Sequence, residues 1–229
     1  MNTTHKPYVL DDLGCLGIRP RARTLVTILC WIMPWVGLTG CSFLKPAKAT
    51  AHYYVLTPIA STQSGSGSLA VGVGQVKLSA YLFNTSLAVR QGTNEVEYLD
   101  SAIWAERLDA GFQRVLAADL ATLLPTDRIH LSAWQRDDVA AEVYVTIEQF
   151  DVDASGQGVL IARWRILSPG GEKILKAGGT RLSRQGPRPD AGASGAVATL
   201  SELVADLSRQ LAQALKETPL ASRNSLAQP

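Results

Sequence analysis

Cys41 is the residue whose type and position most directly indicate chemistry, because its thiol follows an apolar segment that ends in small residues. A basic cluster at 19–23 precedes an uncharged apolar run at 24–39, and Gly40 separates that run from Cys41. A basic stretch, a short apolar stretch and small residues in this order are typical of an export signal. The run is shorter than the roughly 20 apolar residues that a membrane-spanning helix needs. A retained N-terminal anchor is the alternative.

The sequence around the cysteine, Leu38, Thr39, Gly40 and Cys41, resembles the bacterial lipobox. In that motif the cysteine sulfur is alkylated by a diacylglyceryl group, the signal peptide is cleaved before the modified cysteine, and the new amine is commonly acylated. The resemblance implies that Cys41 becomes the lipidated first residue of the mature chain. The alternatives are a buried structural cysteine and a disulfide partner.

The remaining cysteines favour lipidation, because Cys15 and Cys30 both precede the expected cleavage point. Cleavage would leave Cys41 with no partner for an intramolecular disulfide. We therefore predict a signal peptide at 1–40 and an S-diacylglyceryl, N-acyl Cys41, since two or more acyl chains anchor a protein stably. Ser42 follows it instead of aspartate, which resembles lipoproteins sorted to the outer membrane. We expect the protein on the periplasmic face of that membrane in a Gram-negative bacterium.

Charged side chains form the second group that could act on another molecule. Carboxylates cluster between 137 and 153, on predicted turns or outward positions of a strand, and a basic region follows at 163–188. Cross-strand pairing on a solvated face is the leading interpretation, with Glu148 opposite Arg163 if the intervening hairpin closes symmetrically. A charged interface with another subunit or a partner is the alternative, and a catalytic acid–base pair is the third. The candidate interface residues are Arg163, Arg165, Lys176, Arg181 and Glu148.

Other chemistry has little support in the sequence. Beyond the signal peptide, His52 and His130 stand apart, without a second ligand at metal-binding spacing. The segment 72–74 (GVG) lacks the third glycine and the following helix of a dinucleotide fingerprint, and neither a P-loop nor a nucleophile elbow occurs. The net charge of +2 argues against nucleic-acid binding. We predict a protein that is not an enzyme and that needs neither a metal nor a cofactor.

Hydrophobic periodicity gives the elements that would position these residues. Alternating apolar residues predict strands, and repeats of three and four residues predict helices. The strand at 69–78 changes phase near Gly74, which indicates a bulge. The predicted strands are 69–78, a hairpin over 86–99, a short strand at 128–134, and a meander of 141–153, 158–167 and 172–184, while the helices are 101–124, closed by Pro125, and 197–215.

This order predicts an α+β fold, with a mostly antiparallel sheet and two long amphipathic helices packed on one face in a single domain. We place a lipidated tether and linker at 41–68, because 61–68 is rich in serine and glycine. The α+β domain follows at 69–216, and 217–229 is predicted to be a disordered tail.

Four short motifs resemble the PqiC-like ABC-type transport auxiliary lipoproteins. They are YYVL at 53–56, VGVGQVKLSAYL at 71–82, RQGTNEVEY at 90–98 and WAERL at 104–108. Their order and spacing cover about 52–215, and Ser79 stands where the family often has proline. The resemblance implies a docking subunit at the outer-membrane end of a lipid transport system. Its implied partners are an MCE-domain periplasmic protein, an inner-membrane permease and, in a ring, further copies of itself.

Two other functions are compatible with the sequence. A periplasmic lipoprotein that binds a small or lipidic ligand would hold it in an apolar pocket between sheet and helices, with a few convergent polar groups. An anchored hydrolase would place a nucleophile beside His52 or His130.

Overall fold

The computed structural model of the protein describes residues 50–60 and 67–220. The predicted signal peptide, the lipobox with Cys41, most of the linker and the tail beyond residue 220 lie outside these residues.

The longest strand, β7 (Ala141–Asp153), organises the sheet. On one side it begins an antiparallel meander with β8 (Gln157–Leu167) and β9 (Ile174–Gln185), as the alternating sequence predicts. The register shifts between Ile147 and Gln149, so Glu148 is an extra residue in β7. This bulge reverses the alternation of apolar residues before Phe150, which lies in the core.

The other side of β7 pairs with three shorter strands that all run parallel to it. They are β2 (Val71–Val73), β3 (Lys77–Leu78) and β4 (Ser86–Arg90). The interruption between β2 and β3 lies at residues 74–76, where the sequence predicts a bulge. A helix between these strands and β7 supplies the long crossover that parallel pairing requires.

Three further strands complete a nine-stranded sheet. β5 (Val96–Trp104) forms the predicted hairpin with β4, β1 (His52–Tyr54) runs parallel to β5, and β6 (Ile129–His130) runs parallel to β2. The sheet is therefore mixed, whereas we expected a mostly antiparallel one. Strand periodicity shows which face of a strand is apolar but carries no information about the direction of its neighbour.

Two helices, α1 (Leu108–Leu123) and α2 (Ala193–Glu217), pack against each other and on one face of the sheet. Their apolar stripes join the apolar sides of the strands in one core. This arrangement confirms the α+β class and explains the periodic leucines of both helices. Leu200, Leu203 and Leu207 of α2 are fully buried.

The start of α1 differs from our prediction, because residues 101–104 continue β5 and the helix begins only at Leu108. The backbone N–H of Trp104 binds the carbonyl of Thr85, and that of Ala105 binds the carbonyl of Tyr54. Trp104 is buried in the core, as a helical residue there would also be. Its spacing to later apolar residues therefore indicated helix, although its backbone is paired as a strand.

The N-terminal segment joins the fold earlier than the sequence suggested. Residues 52–54, which we assigned to the tether, form β1, and Leu56 is buried in the core. The backbone N–H of Thr57 binds Ser201 Oγ at 3.2 Å, and that of Ile59 binds Asp119 Oδ1 at 2.7 Å. The tether is therefore fastened to both helices and the sheet before the serine-rich linker begins.

Candidate functional site

The outer face of the sheet, which is the face turned away from α2, contains most of the residues that the sequence proposed for an interface. Lys176 and Arg184 of β9 lie on the opposite face of the sheet, which α2 covers. Lys176 Nζ lies 2.7 Å from a carboxylate oxygen of Glu217, and Arg184 Nη2 lies 2.7 Å from one of Asp206, both on α2. Because side chains alternate along a strand, residues 177, 179, 181 and 183 point away from the helix.

All three of the predicted interface arginines lie on this outer face. Arg163 pairs with Gly179 and Arg165 pairs with Ala177 across the β8–β9 ladder, and paired residues share a face. Arg181 occupies another of the outward positions of β9. Lys176 does not join them, because it lies on the helix-facing side and pairs with α2.

Glu148 forms an ion pair with Arg163, although the two residues are not directly opposite each other in the β7–β8 ladder. Arg163 stands opposite Thr146 in the register, and the extra residue in β7 moves Glu148 along the strand. Arg163 Nε nevertheless lies 2.5 Å from Glu148 Oε1, with the two side chains 76% and 39% exposed. An exposed pair of this kind contributes roughly 0–1 kcal/mol to stability, so its charges remain accessible to another molecule.

Two of the clustered carboxylates, Glu142 and Asp151, are buried, although we expected the cluster on turns and a solvated face. Glu142 is 4% exposed and Asp151 is 1% exposed. Glu142 points to the outer face, as alternation predicts, but the loop that carries Trp134 covers it. This covering loop leaves no periodic signal in the sequence of β7.

A cleft of about 750 Å³ lies over Glu142, and the start of α1 borders it with the ion pair of Arg107 and Asp109. Glu142 Oε1 accepts hydrogen bonds from Trp134 Nε1 at 3.2 Å and from the backbone N–H of Gly170 at 2.8 Å. Oε2 accepts one from the hydroxyl of Tyr144 at 3.0 Å. Burial raises the pKa of Tyr144, and its hydrogen bond to the Glu142 carboxylate raises it further. Tyr144 therefore acts as a donor to Glu142 at neutral pH.

Two glycines of the 71–82 motif make room for the aromatic rings in this cleft. A Cβ on Gly72 would lie 2.6 Å from the indole of Trp134, and one on Gly74 would collide with the ring of Tyr144. Both rings therefore lie directly on the backbone of the strand, which brings their polar atoms to Glu142. The glycines serve close packing here, which is a different use from phosphate binding.

A second cleft, of about 1050 Å³, adjoins the first, and Gln75 and Tyr144 line both. Its basic side chains are Lys77, Arg163 and Arg165, and Gly178 and Gly179 line it from β9. We call the two clefts together the outer-face trough. The predicted interface residues Arg163, Arg165 and Glu148 therefore belong to a concave surface.

Asp151 belongs to a different, internal arrangement that brings together two of the sequence motifs. Arg90 donates to both carboxylate oxygens, with Nη2 at 2.6 Å and Nε at 3.2 Å. The hydroxyl of Tyr81 donates to Asp151 Oδ2 at 2.9 Å, and that of Tyr98 donates to the carbonyl of Tyr81 at 2.9 Å. Burial raises the pKa of Tyr81 to about 12. The tyrosines and arginine of these motifs therefore stabilise the fold.

In the described ranges, no group of three or more His, Cys, Asp or Glu residues could hold a metal ion. None of the helices within residues 50–60 and 67–220 is long and apolar enough to cross a membrane. His52 lies on β1 and His130 on β6, at opposite ends of the strand order.

Comparison with known proteins identifies the class. The model of the ABC-type transport auxiliary lipoprotein component family matches residues 54–212, and the chain belongs to this family. This family is one of transport auxiliary lipoproteins and is not a known enzyme family. No curated protein sequence is significantly similar to this chain.

Solved structures show the same fold at low sequence identity. A crystal structure of an uncharacterised protein is 20% identical, with a TM-score of 0.62, and the match covers 72% of this chain and 99% of the other. A protein of the DUF330 family from Xanthomonas campestris is 11% identical, with a TM-score of 0.59, and the match covers 71% and 93% of the two chains.

Proposed function

We propose that the chain is the lipid-anchored outer-membrane subunit of an MCE-type transenvelope lipid transport system, in which it docks the periplasmic assembly to the outer membrane. The match to the transport auxiliary lipoprotein family over residues 54–212 carries this proposal. The lipobox at 38–41 supports the anchor, and Ser42 supports the outer membrane. The partners would be an MCE-domain periplasmic protein and an inner-membrane permease, with further copies of the chain in a ring.

The protein would act by holding its partner at a fixed place at the membrane. A lipid on Cys41 would hold one end of the chain in the membrane, and β1 fastens the other end of the tether to the folded domain. The exposed arginines of the outer face offer a charged surface to a partner, since exposed charges guide association and fix orientation. The acidic partners of Lys176 and Arg184 lie within the same chain, so those two basic residues are less available.

The first test is crosslinking in native membranes, followed by purification and mass spectrometry, for wild type and Cys41→Ser. We expect the wild type to fractionate with the outer membrane and to recover an MCE-domain protein. Cys41→Ser should lose both the outer-membrane fractionation and the partner. Unchanged outer-membrane fractionation of Cys41→Ser would contradict the lipid anchor, and recovery of the wild-type lipoprotein alone would contradict docking.

The partner surface is tested separately by reversing charge on the outer face. Arg163→Glu combined with Arg165→Glu should reduce recovery of the partner while outer-membrane fractionation remains. Arg209→Glu is the control, because Arg209 is an exposed arginine on α2 whose ion pair, with Asp206, lies in its own helix and away from the outer face. Equal recovery for the double variant and the control would exclude the outer face as the docking surface.

A further inference from the structure

The outer-face trough contains an anionic group that is buried without a cationic partner. Among the ion pairs of the described residues, none includes Glu142. Its hydrogen-bond donors, Trp134, Tyr144 and Gly170, are all neutral. A buried carboxylate is stabilised best when a positive charge or a further donor reaches it. The site therefore favours a ligand that brings a positive charge.

One oxygen of Glu142 is open to such a ligand. Oε2 accepts a single hydrogen bond, from Tyr144, whereas a carboxylate oxygen can accept two. Gly171 lines the cleft beside this oxygen, and a Cβ built on Gly171 would meet only Oε2, at 3.8 Å. The cleft thus has space next to the free acceptor position. Trp134 and Tyr144 also line this space, and aromatic rings favour ammonium groups.

The adjoining part of the trough has a net positive charge, since its three basic side chains outnumber Glu148, which pairs with Arg163. Lys77 and Arg165 line it, and neither takes part in any ion pair within residues 50–60 and 67–220. Arg165 is the cross-strand neighbour of Tyr144, the residue that binds Glu142. Guanidinium and ammonium side chains bind phosphate through charge-assisted hydrogen bonds. A basic site and an acidic site therefore lie side by side on one face.

We propose that the outer-face trough binds a zwitterion in which an ammonium group and a phosphate are joined by a short linker, as in a phosphoethanolamine headgroup. The ammonium group donates to Glu142 Oε2, and the phosphate accepts from Arg165 and Lys77. This site belongs to the folded domain and goes beyond the docking role, since it needs neither the lipid anchor nor a protein partner.

Calorimetric titration of the purified full-length lipoprotein in a maltoside detergent tests the site. Glycerophosphoethanolamine presents both charges, while ethanolamine and glycerol phosphate each present one. We expect one molecule of glycerophosphoethanolamine to bind per chain, more tightly than either half-ligand. Absence of binding at millimolar glycerophosphoethanolamine would overturn the proposal.

Variants assign the two ends of the ligand. Glu142→Gln removes the charge that binds ammonium and should weaken glycerophosphoethanolamine binding by about tenfold or more. Arg165→Ala should weaken glycerophosphoethanolamine and glycerol phosphate but leave ethanolamine unchanged. Because Arg165 is exposed, this second variant tests the proposal even if Glu142→Gln fails to fold. Glu95→Gln, an exposed carboxylate in the β4–β5 hairpin, is the control and should bind as the wild type does.

Two results would refute the assignment, and one comparison identifies the source of the ligand. Unchanged binding in folded Glu142→Gln, or in Arg165→Ala, would show that these groups do not contact the ligand. A short-chain phosphatidylethanolamine that binds at least as tightly as glycerophosphoethanolamine would indicate a lipid headgroup. Loss of binding when acyl chains are present would indicate a free headgroup compound, with the same charge recognition.

Discussion

Asp119 gives the sharpest test of how the N-terminal segment is held, because its carboxyl is completely buried between α1, α2 and that segment. Oδ1 accepts the backbone N–H of Ile59 at 2.7 Å, and Oδ2 accepts the hydroxyl of Ser208 at 2.8 Å. Burial raises the pKa of Asp119 above its usual value of 3.8, although these two hydrogen bonds oppose the shift. The protonated carboxyl is therefore favoured more in the folded state than in the unfolded chain.

This raised pKa determines the direction of the pH dependence. A carboxyl whose folded pKa exceeds its unfolded value stabilises the protein fully below the unfolded pKa, near 3.8. That stabilisation is lost as the pH rises through the folded pKa, since the folded state must then bury a charge. The contribution of Asp119 to the free energy of unfolding should therefore decrease with rising pH above 3.8 and become constant above the folded pKa.

Asp119→Asn separates charge from hydrogen bonding. The amide oxygen can still accept from Ile59, and the amide nitrogen can donate to Ser208, whose hydroxyl also reaches the carbonyl of Val204 at 2.8 Å. We expect Asp119→Asn to be within about 1 kcal/mol of wild type at neutral pH, or more stable, because every buried polar group keeps a partner. Asp119→Ala should lose roughly 1–3 kcal/mol, because the N–H of Ile59 loses its acceptor.

Urea unfolding of the full-length protein, followed by circular dichroism at several pH values, measures both effects. Asp127→Asn, at a position between α1 and β6 outside this contact, is the control for removing one charge. The pH dependence of the Asp119→Asn variant should be weaker than that of the wild type above pH 3.8. If Asp119→Asn loses as much stability as Asp119→Ala at neutral pH, the ionised carboxylate is required and the reasoning is refuted.

Three further substitutions test the packing and charge arguments, each by urea unfolding. Arg90→Met should cost roughly 3 kcal/mol, because it leaves the buried Asp151 carboxylate without its cation; a loss below about 1 kcal/mol would contradict this. Gly72→Ala should cost about 2 kcal/mol by displacing the Trp134 ring, whereas Gly92→Ala, in open space, is the control; equal losses would contradict the packing argument. Arg163→Ala should change stability by less than about 1 kcal/mol, since its pair with Glu148 is exposed; a larger loss would show that the pair is structural.

The meander and both helices could be predicted because one physical pattern determines them. The strand β7 and the second half of β8 alternate apolar and polar residues, and the bulge at Glu148 appears as a break in the alternation of β7. The helix α2 presents one continuous leucine stripe. The parallel pairings could not be predicted in this way. A short strand such as β2 has the same side-chain pattern whether its neighbour runs parallel or antiparallel to it. The prediction of where α1 begins was wrong, because Trp104 would be buried in the core whether its backbone were helical or part of a strand.

The candidate site was only partly accessible from the sequence, for two physical reasons. Outward charged residues such as Arg163 and Arg165 follow from alternation, so their common face could be predicted. The buried state of Glu142 depends on Trp134, which is eight residues away and comes from a loop, and on the turn at Gly170. Contacts between loops of this kind have no periodic signature. Gly72 and Gly74 were the sequence features that could have indicated the cleft, because glycine in a strand often marks a place where another group packs directly on the backbone.

Several residues of the four sequence motifs make contacts that stabilise the fold. Val71 and Val73 lie in the core, Gly74 makes room for Tyr144, and Arg90 binds the buried Asp151. Ser79 gives its backbone N–H to the carbonyl of Ile147 at 3.0 Å and its hydroxyl to that of Glu148 at 2.9 Å. Proline could make neither of these bonds, so a proline at this position would remove both contacts between this segment and β7.

Several motif residues thus act inside the domain and Lys77 lines the outer-face trough, while Arg163, Arg165 and Arg181 lie outside all four motifs. Exposed arginines on strands contribute little to stability, and they are therefore free to differ between members of a family that share the fold. If the outer face docks a protein partner, specificity for that partner should reside in β8 and β9, which carry Arg163, Arg165 and Arg181, rather than in the motifs. Exchanging only the outward residues of these two strands between two family members should then transfer binding preference without loss of stability. Transfer of preference by the motif residues instead would refute this division.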